Sequence, residues 1–316
     1  MRRCLFCYLP LESDEIDFHS ACSKKMFGQA IPPELPYSAE QMQELGKEVI
    51  KSQMTVTGVQ PKLSLDIANT KTKKEPKRFS IVGLWGGYIL KPPTANYPQL
   101  PEVEDLTMHL ATVAKIEVVP HSLIRLKSGE LAYITRRIDR LKDRKLHMED
   151  MCQLMERLTE DKYRGSYEQI AKAIEKYSVN PGLDIVIFFE QVLFSFLTGN
   201  ADMHLKNFSL IRKVGKGYTL SPAYDMVATA IVNPADDEEL ALNLNGKKRK
   251  IKRSDFVAAF TNSGLESKQQ QNIFNKMLNV KDTWLDFIES SFLSDDFKIA
   301  YKRLIEDRFV RLLTAK

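Results

Sequence analysis

Residues 199–211 read Gly199-Asn200-Ala201-Asp202-Met203-His204-Leu205-Lys206-Asn207-Phe208-Ser209-Leu210-Ile211, and Pro222-Ala223-Tyr224-Asp225-Met226 follows shortly after. Asp202 and Asn207 stand as Asp-x4-Asn. That is the spacing at which a phosphoryl-transfer loop places a proton-accepting carboxylate and then a metal-binding amide. Asp225 lies 23 residues after Asp202, beyond an apolar run that reads as a strand. Such a position is where these sites keep their principal Mg2+ ligand. Asp or Asn alone is as readily a turn residue, but the ordered trio is poorly explained by turns. Asp202 is therefore the candidate base, or the group that orients an attacking hydroxyl. Asn207 and Asp225 are candidate Mg2+ ligands, because Mg2+ demands hard oxygens. In the same loop His204 reads as a packed ring that braces the backbone, with a catalytic role as the alternative. Lys206 offers a cation toward a transferred phosphate, with a solvated lysine as the alternative.

Around this stretch the pattern changes character. Residues 29–148 alternate short β-rich runs with turns: Lys62 to Ile67, Phe79 to Val82, Gly87 to Lys91 and Leu131 to Ile134. The lysine-rich segment Thr70 to Arg78 reads as a hairpin loop. Pro101 opens a helical pattern that ends before Val118. From 149 to 316 the chain is mainly helical, with apolar spacing over Met148 to Leu158, Ser166 to Tyr177, Leu183 to Leu197 and much of 267–313. Ser254-Asp255 reads as a helix cap, and Leu240 to Leu244 as a strand entering an Asn245-Gly246 hairpin turn. The expected architecture is α+β and bilobal, like a protein kinase, with a β-rich first lobe (29–148), a helical second lobe (149–316) and a small segment (1–28) in front.

Phosphoryl transfer also needs a cation on the phosphates, held by a carboxylate. Lys91 ends a predicted strand, and Glu104 sits early in the following helix, with Glu102 as its competitor. The candidate phosphate loop, Thr55-Val56-Thr57-Gly58-Val59-Gln60-Pro61-Lys62, has a single glycine. By itself it is a weak signal.

That loop nevertheless resembles the Gly-x-Gln-x-Lys loop of the HipA-like serine/threonine kinases, the toxin kinases of bacterial toxin–antitoxin operons. Gly199 to Leu210 resembles the family's catalytic signature and Pro222 to Asp225 its metal-binding Asp. Arg137-Ile138-Asp139-Arg140, Glu149-Asp150-Met151-Cys152-Gln153 and Leu242 to Lys247 are also similar. The resemblance runs over about residues 50 to 262. It implies ATP as donor, Mg2+ as cofactor and an aminoacyl-tRNA synthetase as substrate class. It gives Asp202 the catalytic role, Asn207 and Asp225 the metal, and Lys91 the ATP phosphates, with Gly58, Gln60 and Lys62 in the phosphate loop. In the family a serine just before the loop glycine is autophosphorylated; the matching positions are Thr55 and Thr57. The stretch before the phosphate loop is short, so the chain looks like the split, HipT-like form. Its missing subdomain would be a separate small protein acting as antitoxin, and a DNA-binding antitoxin is a further implied partner. The alternatives are a kinase-shaped, zinc-bearing interaction module with weak catalysis, and a small-molecule kinase.

Cys4-x2-Cys7-x11-His19-x2-Cys22 supplies two close ligand pairs, the pattern of structural zinc in small ribbons and knuckles. The alternative is three ordinary thiols and a surface histidine. The start lacks the apolar core of a signal peptide, and Leu183 to Leu197 is too short to span a bilayer. A reducing, cytoplasmic setting is expected, with no membrane partner. The net charge of +5 is mild and argues against direct nucleic-acid binding. The densest basic run, Lys247 to Arg253, lacks the interleaved aromatics of a base-stacking surface and reads first as a solvated arm.

Overall fold

The computed structural model describes residues 2–52, 62–68, 77–82, 85–141, 144–215 and 217–313. Two compact units emerge. The first comprises 1–105, 119–138 and 290–292; the second comprises 106–118, 139–289 and 293–316.

The first unit opens with helices α1 (Ser20–Phe27) and α2 (Ala39–Ser52), followed by strands β1 (Leu63–Ile67), β2 (Phe79–Ile81) and β3 (Tyr88–Lys91). Helix α3 (Leu100–Val113) then precedes β4 (His121–Arg125) and β5 (Leu131–Arg136), and the division between units falls inside α3, after Asp105. The strands form one sheet in the order β2-β1-β3-β5-β4, and each neighbouring pair in it is antiparallel. Alternation along β1 and β3 sends Leu63, Leu65, Tyr88 and Leu90 into a core with Phe27 and Phe79. Phe79 meets Tyr88 edge to face, with ring centroids 5.3 Å apart. The predicted hairpin loop at Thr70 to Arg78 falls largely outside the described residues, as do Thr55, Thr57, Gly58 and Gln60 of the phosphate loop.

The second unit holds β6 (Arg140–Leu141), β7 (Arg144–Lys145), β8 (Met148–Asp150), α4 (Met151–Leu154), α5 (Tyr167–Tyr177) and α6 (Pro181–Thr198). It continues with β9 (Ser209–Lys213), β10 (Gly217–Leu220), α7 (Thr229–Val232), α8 (Arg253–Asn262), α9 (Ser267–Leu278), α10 (Lys281–Glu289) and α11 (Asp295–Leu313). Apolar on nearly every side, α6 is the axis of this unit. By length and composition it could cross a membrane, yet 67% of it is buried in the fold. Phe188, Phe189, Phe194 and Phe196 on α6 pack against Phe208, Phe256, Phe260 and Trp284. Pro181 suits its first turn, where no backbone N–H is needed. Buried Asp184 accepts from the Ser178 hydroxyl at 2.5 Å and the Leu220 N–H at 2.8 Å, which ties α6 to β10.

Two sequence expectations need correction. Met148 to Leu158 is not one helix: Met148–Asp150 pairs with β9, and only Met151–Leu154 is α-helical. Asp150 caps that helix, its carboxylate accepting from the Gln153 N–H at 3.0 Å while Gln153 reaches back to the Asp150 N–H. At Leu240 to Leu244 there is no strand. The Asn245-Gly246 turn exists, both residues having positive φ, but it joins only the isolated bridge Leu244–Lys247.

Candidate functional site

Helix α6 ends at Gly199, which adopts the left-handed conformation (φ 69°) and releases the chain into the 200–208 loop. A Cβ there would lie 2.5 Å from Leu304 Cδ2 and 3.0 Å from Ala230 Cβ, so both the turn and the close packing call for glycine. The loop is held from several sides. The Ala201 N–H donates to Thr229 Oγ1 at 2.9 Å, and the Tyr167 hydroxyl donates to the Met203 carbonyl at 3.1 Å. The Leu205 N–H donates to the Lys162 carbonyl, and the Tyr224 hydroxyl to the Lys206 carbonyl.

Within this frame Asn207 is buried, and its side-chain NH2 donates to the Asp202 carbonyl at 2.8 Å. That bond fixes which way the amide faces and leaves its oxygen as a hard donor. Asp225 has φ 61°. Asp adopts this left-handed region more readily than most residues, and seven other non-glycine residues among the described ones do so too. The charge of Asp202 raises the pKa of Tyr163 and of His204, and that of Asp225 does so more weakly. An amide oxygen and carboxylates are hard oxygen donors, which suit Mg2+.

His204 is buried, its backbone N–H donates to the Asp202 carbonyl at 2.8 Å, and its ring Nδ1 has no partner among the described residues. Burial lowers its pKa to about 4, against the raising fields of Asp202 and Asp225. The backbone bond braces the loop, and the neutral ring packs edge-on against Tyr163. Lys206 Nζ lies 3.2 Å from Asp150 Oδ2, so the carboxylate that caps α4 also engages the loop cation.

Sequence reading missed Tyr163. Its hydroxyl donates to Asp202 Oδ1 at 2.5 Å, and its ring stands edge-on to His204 with centroids 4.9 Å apart. Burial, followed by the field of Asp202, pushes the phenol well above its ordinary pKa and keeps it a donor. No local pattern connects residue 163 with 202.

In the first unit Lys91 Nζ lies 2.5 Å from Glu104 Oε1, with both side chains buried. Burial pushes the carboxyl of the sequence competitor, Glu102, up to about 7. Lys62 is exposed at the start of β1. Cys4, Cys7, His19 and Cys22 come together at the N-terminus, their ligand atoms all within 4.8 Å of one another.

An antiparallel sheet unit followed by a mainly helical unit is the α+β, protein-kinase-like class of the HipA type. The sequence matches the family described as HipA-like C-terminal domain over residues 54–284. The chain belongs to that family. A Haemophilus influenzae relative named "Putative kinase" is 32% identical over 212 residues, covering 63% of this chain and 59% of the relative. One from Sinorhizobium fredii, "Putative kinase Y4dM", is 32% identical over 179 residues, 53% of this chain and 43% of its own length. The matches thus span roughly half the length of these relatives. In structure, the chain is similar to the HipA toxin of Shewanella oneidensis MR-1, solved with HipB and its operator DNA. The TM-score is 0.69 at 22% identity, covering 88% of this chain and 71% of that one. The Helicobacter pylori proinflammatory kinase CtkA aligns with a TM-score of 0.52 at 16% identity, over 72% and 87% of the two chains.

Proposed function

We propose that this chain is an ATP-dependent serine/threonine protein kinase of toxin–antitoxin type. The observation that carries the reading is the loop after α6, where the Asn207 amide donates to the Asp202 carbonyl and the Tyr163 hydroxyl donates to the Asp202 carboxylate. Asp202 accepts the proton of the attacking hydroxyl. Asn207 and Asp225 would hold Mg2+, which would supply charge neutralisation for the phosphates. Lys91, paired with Glu104, is the cation that the family resemblance assigns to ATP phosphates. Tyr163 and His204 orient the carboxylate and brace its backbone.

Family membership supports the finer reading. The substrate is a translation enzyme of the aminoacyl-tRNA synthetase class in the cytoplasm, and Thr55 or Thr57 is autophosphorylated beside Gly58. A phosphate there adds about −1.5 to −2 charges against the ATP phosphates. A separate small protein acting as antitoxin is a further proposed partner. The HipB found with the Shewanella protein points to a DNA-binding antitoxin as a further partner.

Incubating the purified chain with γ-labelled ATP, with and without cell lysate, tests this. Asp202→Asn should lower transfer to protein by several orders of magnitude, and Asp225→Ala should abolish it. Near-normal transfer in either variant would overturn the site. Label on a lysate protein outside the translation machinery would overturn the substrate class alone, and mass spectrometry finding Thr55 and Thr57 unmodified would remove only the autophosphorylation.

A further inference from the structure

Phosphotransfer makes no use of the chemistry in residues 1–28. Cys4 and Cys7 lie in a turn closed by the Tyr8 N–H on the Cys4 carbonyl at 2.9 Å, with Tyr8 at φ 64°. His19 is the N-cap residue of α1, and Cys22 lies in its first turn. A spacing of three places those two side chains on one side of the helix end. The fold therefore brings a turn pair and a helix pair to a single point, as a tetrahedral metal site requires.

The distances are those of a metal polyhedron. His19 Nδ1 lies 3.4 Å from Cys7 Sγ and 3.7 Å from Cys22 Sγ. In a tetrahedron with ordinary zinc–sulfur and zinc–nitrogen bonds, the nitrogen–sulfur edge is about 3.6 Å. The two observed edges fall on either side of it. The imidazole is also oriented as a ligand, since its Nε2–H donates to the Pro10 carbonyl at 2.9 Å and leaves the Nδ1 lone pair toward the thiols. Metal-bound histidines are held by such an outer partner. All three cysteines are free thiols: Cys4 is buried in the core, and Cys7 and Cys22 pack half-buried against it.

We propose that Cys4, Cys7, His19 and Cys22 hold one structural Zn2+ ion, and that the ion fixes the turn from which Tyr8 reaches Asp105. Three thiolates and an imidazole in tetrahedral array select zinc, and four protein ligands leave no open position for catalysis. The turn is anchored on both flanks. The Leu5 carbonyl accepts from the Leu123 N–H at 3.2 Å and from the Ser122 hydroxyl at 3.0 Å on β4. The Tyr8 hydroxyl donates to Asp105 Oδ2 at 2.8 Å, and His121 Nδ1 donates to Asp105 Oδ1 at 2.7 Å. Asp105 directly follows Glu104, the partner of Lys91. The ion thereby positions the start of α3 without touching substrate.

The full chain, expressed with zinc in the medium, should carry about one zinc per chain by elemental analysis. Exchange into Co2+ should give the visible bands of a tetrahedral site with thiolate charge transfer. Cys22→Ser should lower zinc content at least about tenfold. His19→Cys should retain the metal and move the Co2+ bands toward those of four thiolates, which keeps the test decisive if Cys22→Ser does not fold. Chelation should increase amide exchange in 4–9 and 102–106. Metal-free wild type, a Co2+ spectrum without thiolate bands, or unchanged zinc in folded Cys22→Ser would overturn the site. Unchanged exchange at 102–106 on chelation would overturn its action on α3.

Discussion

At the scale of single residues, the contact that most shapes the proposed chemistry is the 2.5 Å bond from Tyr163 to Asp202. A hydrogen bond to a charged group contributes about 1.5–3 kcal/mol, and here it fixes one of the two carboxylate oxygens. Tyr163→Phe keeps the ring against His204 but deletes the donor. We predict a fall in kcat of about tenfold, equivalent to about 1.4 kcal/mol, with the KM for ATP unchanged. An unaltered kcat would show that the contact is incidental. His204 gives a prediction in pH rather than rate. Burial holds its pKa near 4, against an ordinary 6.5, so between those values the unfolded chain binds more protons than the folded one. Stability from this group is therefore full above pH 6.5 and lost as pH falls toward 4, by up to about 3 kcal/mol. His204→Leu should lack that loss. Urea unfolding at pH 4.5, 5.5 and 7, followed by the buried Trp284 of the same unit, measures the difference. Parallel pH dependence in the two proteins would refute it.

At the scale of elements, the loop is made by the way its neighbours start and stop. Gly199 ends α6 in a left-handed turn with Leu304 and Ala230 close behind it, and Asp150 both closes β8 and caps α4. Much of this was legible in the sequence because the signals are local. The helical spacing of Ser166 to Tyr177 and of Leu183 to Leu197 appears as α5 and α6, with Ser166 as the N-cap of α5. The runs at Lys62, Phe79 and Gly87 appear as β1, β2 and β3. What escaped depends on distant partners. Met148–Asp150 is a strand only because β9 lies beside it, and its apolar pattern alone fits a helix equally well. Strand β4 went unread although its pairing with β5 covers His121 to Arg125. Helix α2 also went unread. Among site residues, the order of Asp202, Asn207 and Asp225 was visible because it lies along the chain. Tyr163 was invisible because 39 positions separate it from the carboxylate it contacts.

For the molecule as a whole, the open question is where its excess positive charge goes. The net charge is +5, and Lys247 to Arg253 is its densest basic run. In the fold three of the run's six basic residues pair with carboxylates of the chain itself. Lys247 pairs with Asp255 at 2.7 Å, Lys248 with Glu238 at 3.2 Å, and Arg249 with Asp237 at 2.6 Å. Arg253 instead stacks its guanidinium over Phe274, 3.8 Å from the ring centroid. Each pair is partly exposed and individually weak, yet together they compete with any phosphate for the same cations. Affinity for nucleic acid scales with the number of phosphates neutralised, which the salt dependence reports directly. We predict that this arm contributes no more than about one phosphate contact in the wild-type chain. Replacing Asp237 with Asn and Glu238 with Gln frees Lys248 and Arg249. The slope of log K against log salt for a duplex of arbitrary sequence should then steepen by about one to two. Fluorescence anisotropy across a salt series measures both slopes on the same duplex. Equal slopes in the two proteins would mean that the acidic partners do not mask the arm, and a steep wild-type slope that collapses when Lys248 and Arg249 become Gln would make it a nucleic-acid contact.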